Sequence, residues 1–148
     1  MKLIKQISQN HILAITVGIV YLWFGGLKYF PGKSPAEELA INTIDLLTYS
    51  IIPSNVSIIL LAILETLIGL LLILNLYRRT VVIIALVHLA FAFTPLFLFP
   101  ERSFGNSAFT LTLLGQYVVK NIIIVGALIT IYKLPATKNK PALKRSLF

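Results

Sequence analysis

Four long runs of apolar residues constrain this chain more than any other feature of its sequence. They cover residues 11–30, 56–76, 80–99 and 107–132. Each run can reach the ~20 residues that an α-helix needs to cross about 30 Å of hydrocarbon. The runs are continuously apolar rather than alternating, which argues against a β-barrel. Because a bilayer requires backbone hydrogen bonds to be satisfied internally, we predict an all-α fold, an integral membrane four-helix bundle.

The composition leaves little material for a water-facing surface. Hydrophobic residues make up 57% of the chain and charged residues 12%, whereas soluble domains carry about 25% charged residues. The 148 residues have room for one domain, predicted as a transmembrane domain over 1–134 with a basic, disordered tail over 135–148. The absence of cysteine excludes disulfides, thiol redox chemistry and thiolate metal sites.

The basic residues predict the orientation of the spans. Four spans place both termini on one side, with these basic residues: Lys2, Lys5, Arg78, Arg79, Lys133, Lys138, Lys140, Lys144 and Arg145. The other side carries only Lys28, Lys33 and Arg102. We therefore expect cytoplasmic termini and a plasma (bacterial inner) membrane location. The net charge of +8 then suits anionic membrane lipid, and no nucleic-acid partner is expected.

A shorter, partly amphipathic pattern over residues 35–49 separates the first two runs. Glu37 and Glu38 near its start complement the positive end of a helix dipole, and Pro53 follows its end. We predict a short interfacial helix on the outer side of the membrane, where it can act as a lid over the bundle.

Three ionisable residues lie deep inside the apolar runs, away from their ends, where a charge costs at least ~2.5–3.5 kcal/mol on insertion scales. Counted at about 1.5 Å per residue, Glu65, His88 and Lys120 lie near the middle of the second, third and fourth runs. An acid, an imidazole and an amine from three helices thus reach similar depth. Glu65 and Lys120 form either an ion pair that locks two helices or part of a ligand or proton site. His88 is either a hydrogen-bonded core residue or an acid–base group.

Three further polar residues extend this surface. Lys28 lies nearer the outer boundary of the first run, on one helical face with Tyr21 and Gly25. It either snorkels to the outer interface or lines the entrance to a site. Gln116 and Asn121 flank the lysine of the fourth run, and we interpret them as groups that hydrogen-bond between helices. An imidazole and one carboxylate are too few ligands for a metal site, so none is predicted.

Short motifs accompany the apolar runs. Residues 23–30 read WFGGLKYF and continue as PGKSP, and Glu65 is followed by Gly69 in an E-x-x-x-G pattern. His88 lies in the third run, and residues 115–121 read GQYVVKN. Together these motifs resemble those of DoxX-like membrane proteins over roughly residues 20–132. The resemblance implies a four-helix membrane bundle and says little about a substrate.

Family members are linked to thiosulfate:quinone oxidoreductase, to oxidative stress and to membrane-protein assembly. From the polar cluster we predict a small-molecule site in the outer half of the bundle, for a quinone or similar amphipathic molecule in membrane redox or oxidative-stress physiology. In this hypothesis Lys120 and His88 hydrogen-bond or protonate a carbonyl oxygen, and Glu65 sets their charge. Gln116 and Lys28 line the entrance.

Other interpretations of the chain stay open. The main alternative is a non-enzymatic membrane subunit or assembly factor whose buried charges only specify helix packing. No nicotinamide or flavin motif occurs, so no intrinsic cofactor is predicted, and a quinone would be the ligand itself. A homodimer or a membrane oxidoreductase is the expected protein partner, and the sequence leaves open whether the chain is an enzyme. A proton-coupled transporter is disfavoured because no inverted repeat is apparent.

Overall fold

The computed structural model describes residues 2–105, 107 and 110–133, with the backbone alone for residues 2–10. Every regular element of this part of the chain is an α-helix, and the elements are α1 (Lys2–Leu27), α2 (Glu37–Leu47), α3 (Ser54–Ile73), α4 (Arg78–Ala92), α5 (Pro95–Leu98), α6 (Pro100–Ser103) and α7 (Leu113–Lys133). Phe104 and Leu111 form an isolated β-bridge. The predicted all-α fold is confirmed, and the predicted tail over 135–148 lies outside the described residues.

Three stretches of the chain are helical, long enough and apolar enough to cross a membrane. They are Ser54–Ile73, Arg78–Leu98 and Leu113–Lys133. The first predicted span corresponds to a shorter apolar section of α1, His11–Leu27. Three of the four predicted spans therefore have helices of the required length and composition.

The last helix begins later than its apolar run, which starts at residue 107. α7 begins at Leu113 because the preceding residues hydrogen-bond back to α6. The Thr112 hydroxyl donates to the carbonyl oxygen of Arg102 at 2.6 Å, and the Thr112 amide donates to the carbonyl oxygen of Ser103 at 3.0 Å. The predicted boundary at 107 was therefore wrong by six residues, since residues 110–112 are not helical.

The closest helix packing joins α1 to α3 through glycines. A Cβ on Gly18 would lie 2.8 Å from the Gly69 carbonyl oxygen, and a Cβ on Gly69 would lie 2.8 Å from the Gly18 carbonyl oxygen. Further along α1, a Cβ on Gly25 would lie 3.0 Å from the Cβ of Glu65. Small residues let two helix backbones approach in this way. As a result α1 ends beside the middle of α3, because Leu27 is only two residues beyond Gly25.

The other long helices complete the arrangement around this pair. α7 packs against α1 and α4, α4 also packs against α3, and the buried apolar side chains of all four helices form one core. α2 packs against α3 and α5, at the end of the molecule where α1 stops. Its 11 residues lie within the predicted range 35–49, and Glu37 and Glu38 occupy its first turn. Left-handed residues flank α2, with Gly32 (φ 74°) before it and Tyr49 (φ 52°) after it.

Candidate functional site

The Glu65 carboxylate, in the middle of α3, is the centre of a buried polar network. Its side chain is 9% exposed. The Lys28 ammonium donates to Glu65 Oε2 at 2.6 Å and to the Phe24 carbonyl oxygen at 3.3 Å. His88 Nε2 lies 3.3 Å from Glu65 Oε1. Both carboxylate oxygens thus have a donor, which a buried carboxylate requires because removing it from water is costly.

Tyr21 extends this network from α1. Its hydroxyl lies 3.2 Å from His88 Nδ1 and 3.4 Å from the carbonyl oxygen of Ala85. With Glu65 ionised, His88 Nε2 carries a proton that Glu65 Oε1 accepts, and Nδ1 shares a hydrogen bond with the Tyr21 hydroxyl. The proton on Nε2 is assigned from the hydrogen-bond partners. We call Tyr21, Lys28, Glu65 and His88 the Glu65 network.

The place of Lys28 differs from the sequence-based expectation. Counting along the first run put it near the outer boundary of the membrane, where it would snorkel or line an entrance. Instead its side chain is buried, and its ammonium pairs with a carboxylate in the middle of α3. The reason is the glycine packing of α1 on α3, which brings the end of α1 to the level of Glu65.

Lys120 does not join this network. The ion pair between Glu65 and Lys120 that was one interpretation of the sequence is absent among the described residues, where Glu65 pairs with Lys28 and His88. Lys120 is exposed, and its ammonium lies 5.6 Å from the centroid of the Tyr117 ring. Because α7 begins only at Leu113, Lys120 is about 10 Å from the start of the helix rather than at its middle.

A cavity of about 660 Å³ lies beside the Glu65 network. Small-molecule sites occupy about 300–1,000 Å³, so its volume suits a ligand of that size. α1, α2, α3, α4 and α7 all contribute to its walls, together with residues 34–36 and Pro95. The walls are largely apolar, with side chains such as Phe24, Leu39 and Ile124. α2 contributes from Leu39 to Leu47, so it forms one wall of the cavity.

The predicted site residues divide into two groups around this cavity. Five of the six line it: Lys28, Glu65, His88, Lys120 and Asn121. Gln116 is not among the lining residues. It is exposed, and its side-chain amide donates to the Leu111 carbonyl oxygen at 3.4 Å, so the predicted place at a cavity entrance was wrong.

Sequence reasoning left Tyr21 without a role, although it noted that Tyr21 shares a helical face with Lys28. A polar tip on the same face as a buried charge was the signal that could have added it to the cluster. Ser34 and Thr43, which are buried and also line the cavity, precede or lie within α2 and had no comparable signal.

The network and the cavity together determine which chemical groups face a ligand. The Glu65 carboxylate is occupied by its two partners. Lys28 uses two of its three N–H donors on Glu65 and Phe24, so one N–H remains. Lys120 adds an ammonium from α7. The cavity therefore offers hydrogen-bond donors, and it complements a ligand that carries acceptor oxygens on an apolar body. Within the described ranges, no three His, Asp or Glu side chains lie close enough to hold a metal ion.

These features define a helical protein with three helices long and apolar enough to cross a membrane, and with a cavity beside a buried ion pair. Comparison of the chain with known protein families, with characterised proteins and with solved structures found no match. The resemblance to DoxX-like proteins consequently rests on the sequence motifs alone, and it stays a prediction.

Proposed function

We propose that this chain is a four-span DoxX-like membrane protein that binds an amphipathic small molecule, a quinone or a similar compound, in the cavity beside Glu65. The single observation that carries the proposal is this cavity of about 660 Å³, apolar on most of its surface and edged by the donors of Lys28 and Lys120. A quinone presents two carbonyl acceptors on an apolar ring, so it matches both properties.

The membrane topology of the proposal rests on helix length and charge. α1 has 26 residues, and its apolar section His11–Leu27 reaches the lower end of the range of about 17–25 residues for a span. With α1 counted as a span as well, the chain has the four spans of a four-helix bundle. The distribution of basic residues favours cytoplasmic termini in the plasma (bacterial inner) membrane. In this orientation α2 lies toward the outer side and acts as the lid of the cavity.

Within the site, the residues have separate tasks. Lys28 and Lys120 donate to the oxygens of the ligand, and Asn121 lies beside Lys120 on the cavity wall. Glu65 holds Lys28 in place, and His88 positions the carboxylate, because Glu65 accepts from both. We expect the protein to act in membrane redox or oxidative-stress physiology. Its protein partner would be a second copy of the chain, in a homodimer, or a membrane oxidoreductase.

Filling the cavity is the direct test of this proposal. Ala92 lines the cavity on α4, whereas Ala90, two residues earlier, is exposed and does not line it. We expect Ala92→Phe to abolish the thermal stabilisation of the purified protein by short-chain quinones, and Ala90→Phe to leave it unchanged. Well-folded wild-type protein that gains no stability from any quinone would contradict the proposal.

One observation favours the alternative of a non-enzymatic subunit or assembly factor. The Glu65 network satisfies its own charges without a ligand, as a set of groups that only specifies helix packing would. Lys28→Met combined with Glu65→Leu separates the two functions. If the network only specifies packing, the double variant restores the folding lost in each single variant and keeps the cellular function. If the cavity binds a ligand through Lys28, the double variant folds and loses quinone binding.

A further inference from the structure

The charges that line the cavity do not balance. Glu65 is the single acidic residue among the lining residues, and the cations Lys28 and Lys120 lie on two different walls. Lys28 and Glu65 neutralise one another at 2.6 Å. One positive charge, that of Lys120, remains.

The surroundings of Lys120 contain little that compensates this charge. Its nearest aromatic contact is the Tyr117 ring at 5.6 Å from the ammonium. Among the described residues, the closest acidic side chain of the cavity is already engaged by Lys28 and His88, and no carboxylate lies within 4.0 Å of Lys120. Lys120 is exposed and lines the cavity, so an anion bound there can pair with its ammonium.

We propose that the ligand is bound as an anion, an amphiphile with one acidic oxygen that pairs with Lys120. This inference rests on the proposed function and narrows it to ionised ligands, such as a quinone with an acidic ring hydroxyl. A cationic ligand would face Lys120 with no carboxylate available. A neutral ligand would leave the charge of Lys120 uncompensated. Lys120 is thus the residue that determines specificity, while the Glu65 network shapes the opposite wall.

The test compares two probes that differ in charge and hardly in shape. A 2-hydroxy-3-alkyl-1,4-naphthoquinone is ionised at neutral pH, whereas its 2-methoxy ether is neutral. Binding of each to the full chain in zwitterionic nanodiscs is measured by titration calorimetry, with empty nanodiscs correcting for partition into lipid. We expect the ionised probe to bind about fivefold more tightly, which is what an ion pair with an exposed lysine can contribute.

Variants of two lysines on α7 locate the effect. Lys120→Met should remove the preference for the ionised probe, because it weakens binding of the ionised probe more than binding of the ether, which loses only a hydrogen bond. Lys133→Met, at the last residue of the same helix and outside the cavity lining, should leave the preference intact. Lys120→Arg keeps the charge and should keep most of the preference. The two probes are first compared on the wild-type protein, and the result of that comparison holds even if Lys120→Met fails to fold.

A second pair of probes, an alkanoate and its methyl ester, separates the anion from the quinone ring. Equal affinity of the wild-type protein for the ionised and neutral naphthoquinones would overturn the inference and leave the proposed function standing. A preference that survives in Lys120→Met would also overturn it. If the alkanoate were the one probe that binds, the result would support an anionic ligand and contradict a quinone ligand. Failure of all four probes to bind folded protein would overturn both proposals.

Discussion

The charged side chains that line the cavity have many polar partners on α1, α3 and α4 and few on α7. On the side of α1, α3 and α4, the carboxylate, the ammonium and the imidazole of the Glu65 network all have partners within 3.3 Å. On α7, Lys120 is exposed. Its ammonium lies 5.6 Å from the centroid of the Tyr117 ring and has no ion-pair partner among the described residues. The packing differs in parallel, since backbones in the α1–α3 pair touch through Gly18 and Gly69, whereas α7 buries few of its side chains.

This difference shows that two lysines within apolar sequence can have unrelated roles. Where helices approach closely, water is excluded and a charge must find its partner within the protein. Where packing is looser, a charge can remain available to a ligand. Lys28 therefore contributes first to the folded structure, whereas the role that we propose for Lys120 is ligand recognition.

The largest expected effect comes from removing the carboxylate of the Glu65 network. Glu65→Leu leaves the Lys28 ammonium buried without its partner, and we expect the free energy of unfolding to fall by about 3–5 kcal/mol. Denaturant titration of the purified protein in detergent measures this loss. Adding Lys28→Met should recover most of it. A loss below about 1 kcal/mol would mean that the two sides of the cavity do not differ in this way.

Two glycines of the α1–α3 pair provide a test of its close packing and the matched control. Gly69→Ala places a Cβ 2.8 Å from the Gly18 carbonyl oxygen, and overpacking of this kind costs about 1–3 kcal/mol. Gly26→Ala adds its Cβ to open space, so it should be neutral or stabilising. Equal thermal stability of the two variants would show that the α1–α3 contact tolerates separation.

Removing the imidazole tests the next connection of the network. His88→Phe leaves one oxygen of Glu65 without its partner and leaves the Tyr21 hydroxyl with the Ala85 carbonyl oxygen alone, which should cost about 1–3 kcal/mol of unfolding free energy. Tyr21→Phe removes only a hydroxyl, and its cost should be nearer 1 kcal/mol. The same denaturant titration compares them. If Tyr21→Phe were the more costly, the imidazole would contribute less to the network than the Tyr21 hydroxyl does.

The smallest expected change in stability is on the α7 side. Lys120→Met replaces an exposed side chain that has no ion-pair partner among the described residues, so the free energy of unfolding should change by less than about 0.5 kcal/mol. Unfolding is measured without a ligand. A loss as large as that of Glu65→Leu would assign Lys120 to the structure and remove the contrast between the two lysines.

Local sequence patterns predicted the helices well and their ends less well. Apolar runs of about 20 residues can be recognised because hydrophobicity adds up along a helix. The start of α7 was missed because Thr112 hydrogen-bonds to α6, a contact between segments. The polar residues of the site were likewise identified from their cost in an apolar run, and five of the six predicted residues do line one cavity.

Partner choice could not be predicted in the same way. Counting residues assumes that all helices begin at one plane, and on that assumption Glu65 and Lys120 lie at similar depth. An ion pair instead needs two atoms within about 4 Å, and that depends on the offset and rotation of the helices. The Gly18–Gly69 contact determines the offset and the rotation of α1 relative to α3, and it brings Lys28 to Glu65.

The sequence by itself determined that this chain forms apolar helices and which few residues carry charge within them. The reason is that helix formation and burial in an apolar solvent depend on each residue and its near neighbours. Only the tertiary structure decided that Lys28 pairs with Glu65, that Tyr21 joins through His88, and that Lys120 lines the same cavity outside this network. These outcomes depend on how closely the helix backbones approach, which is a property of pairs of helices and not of any one of them.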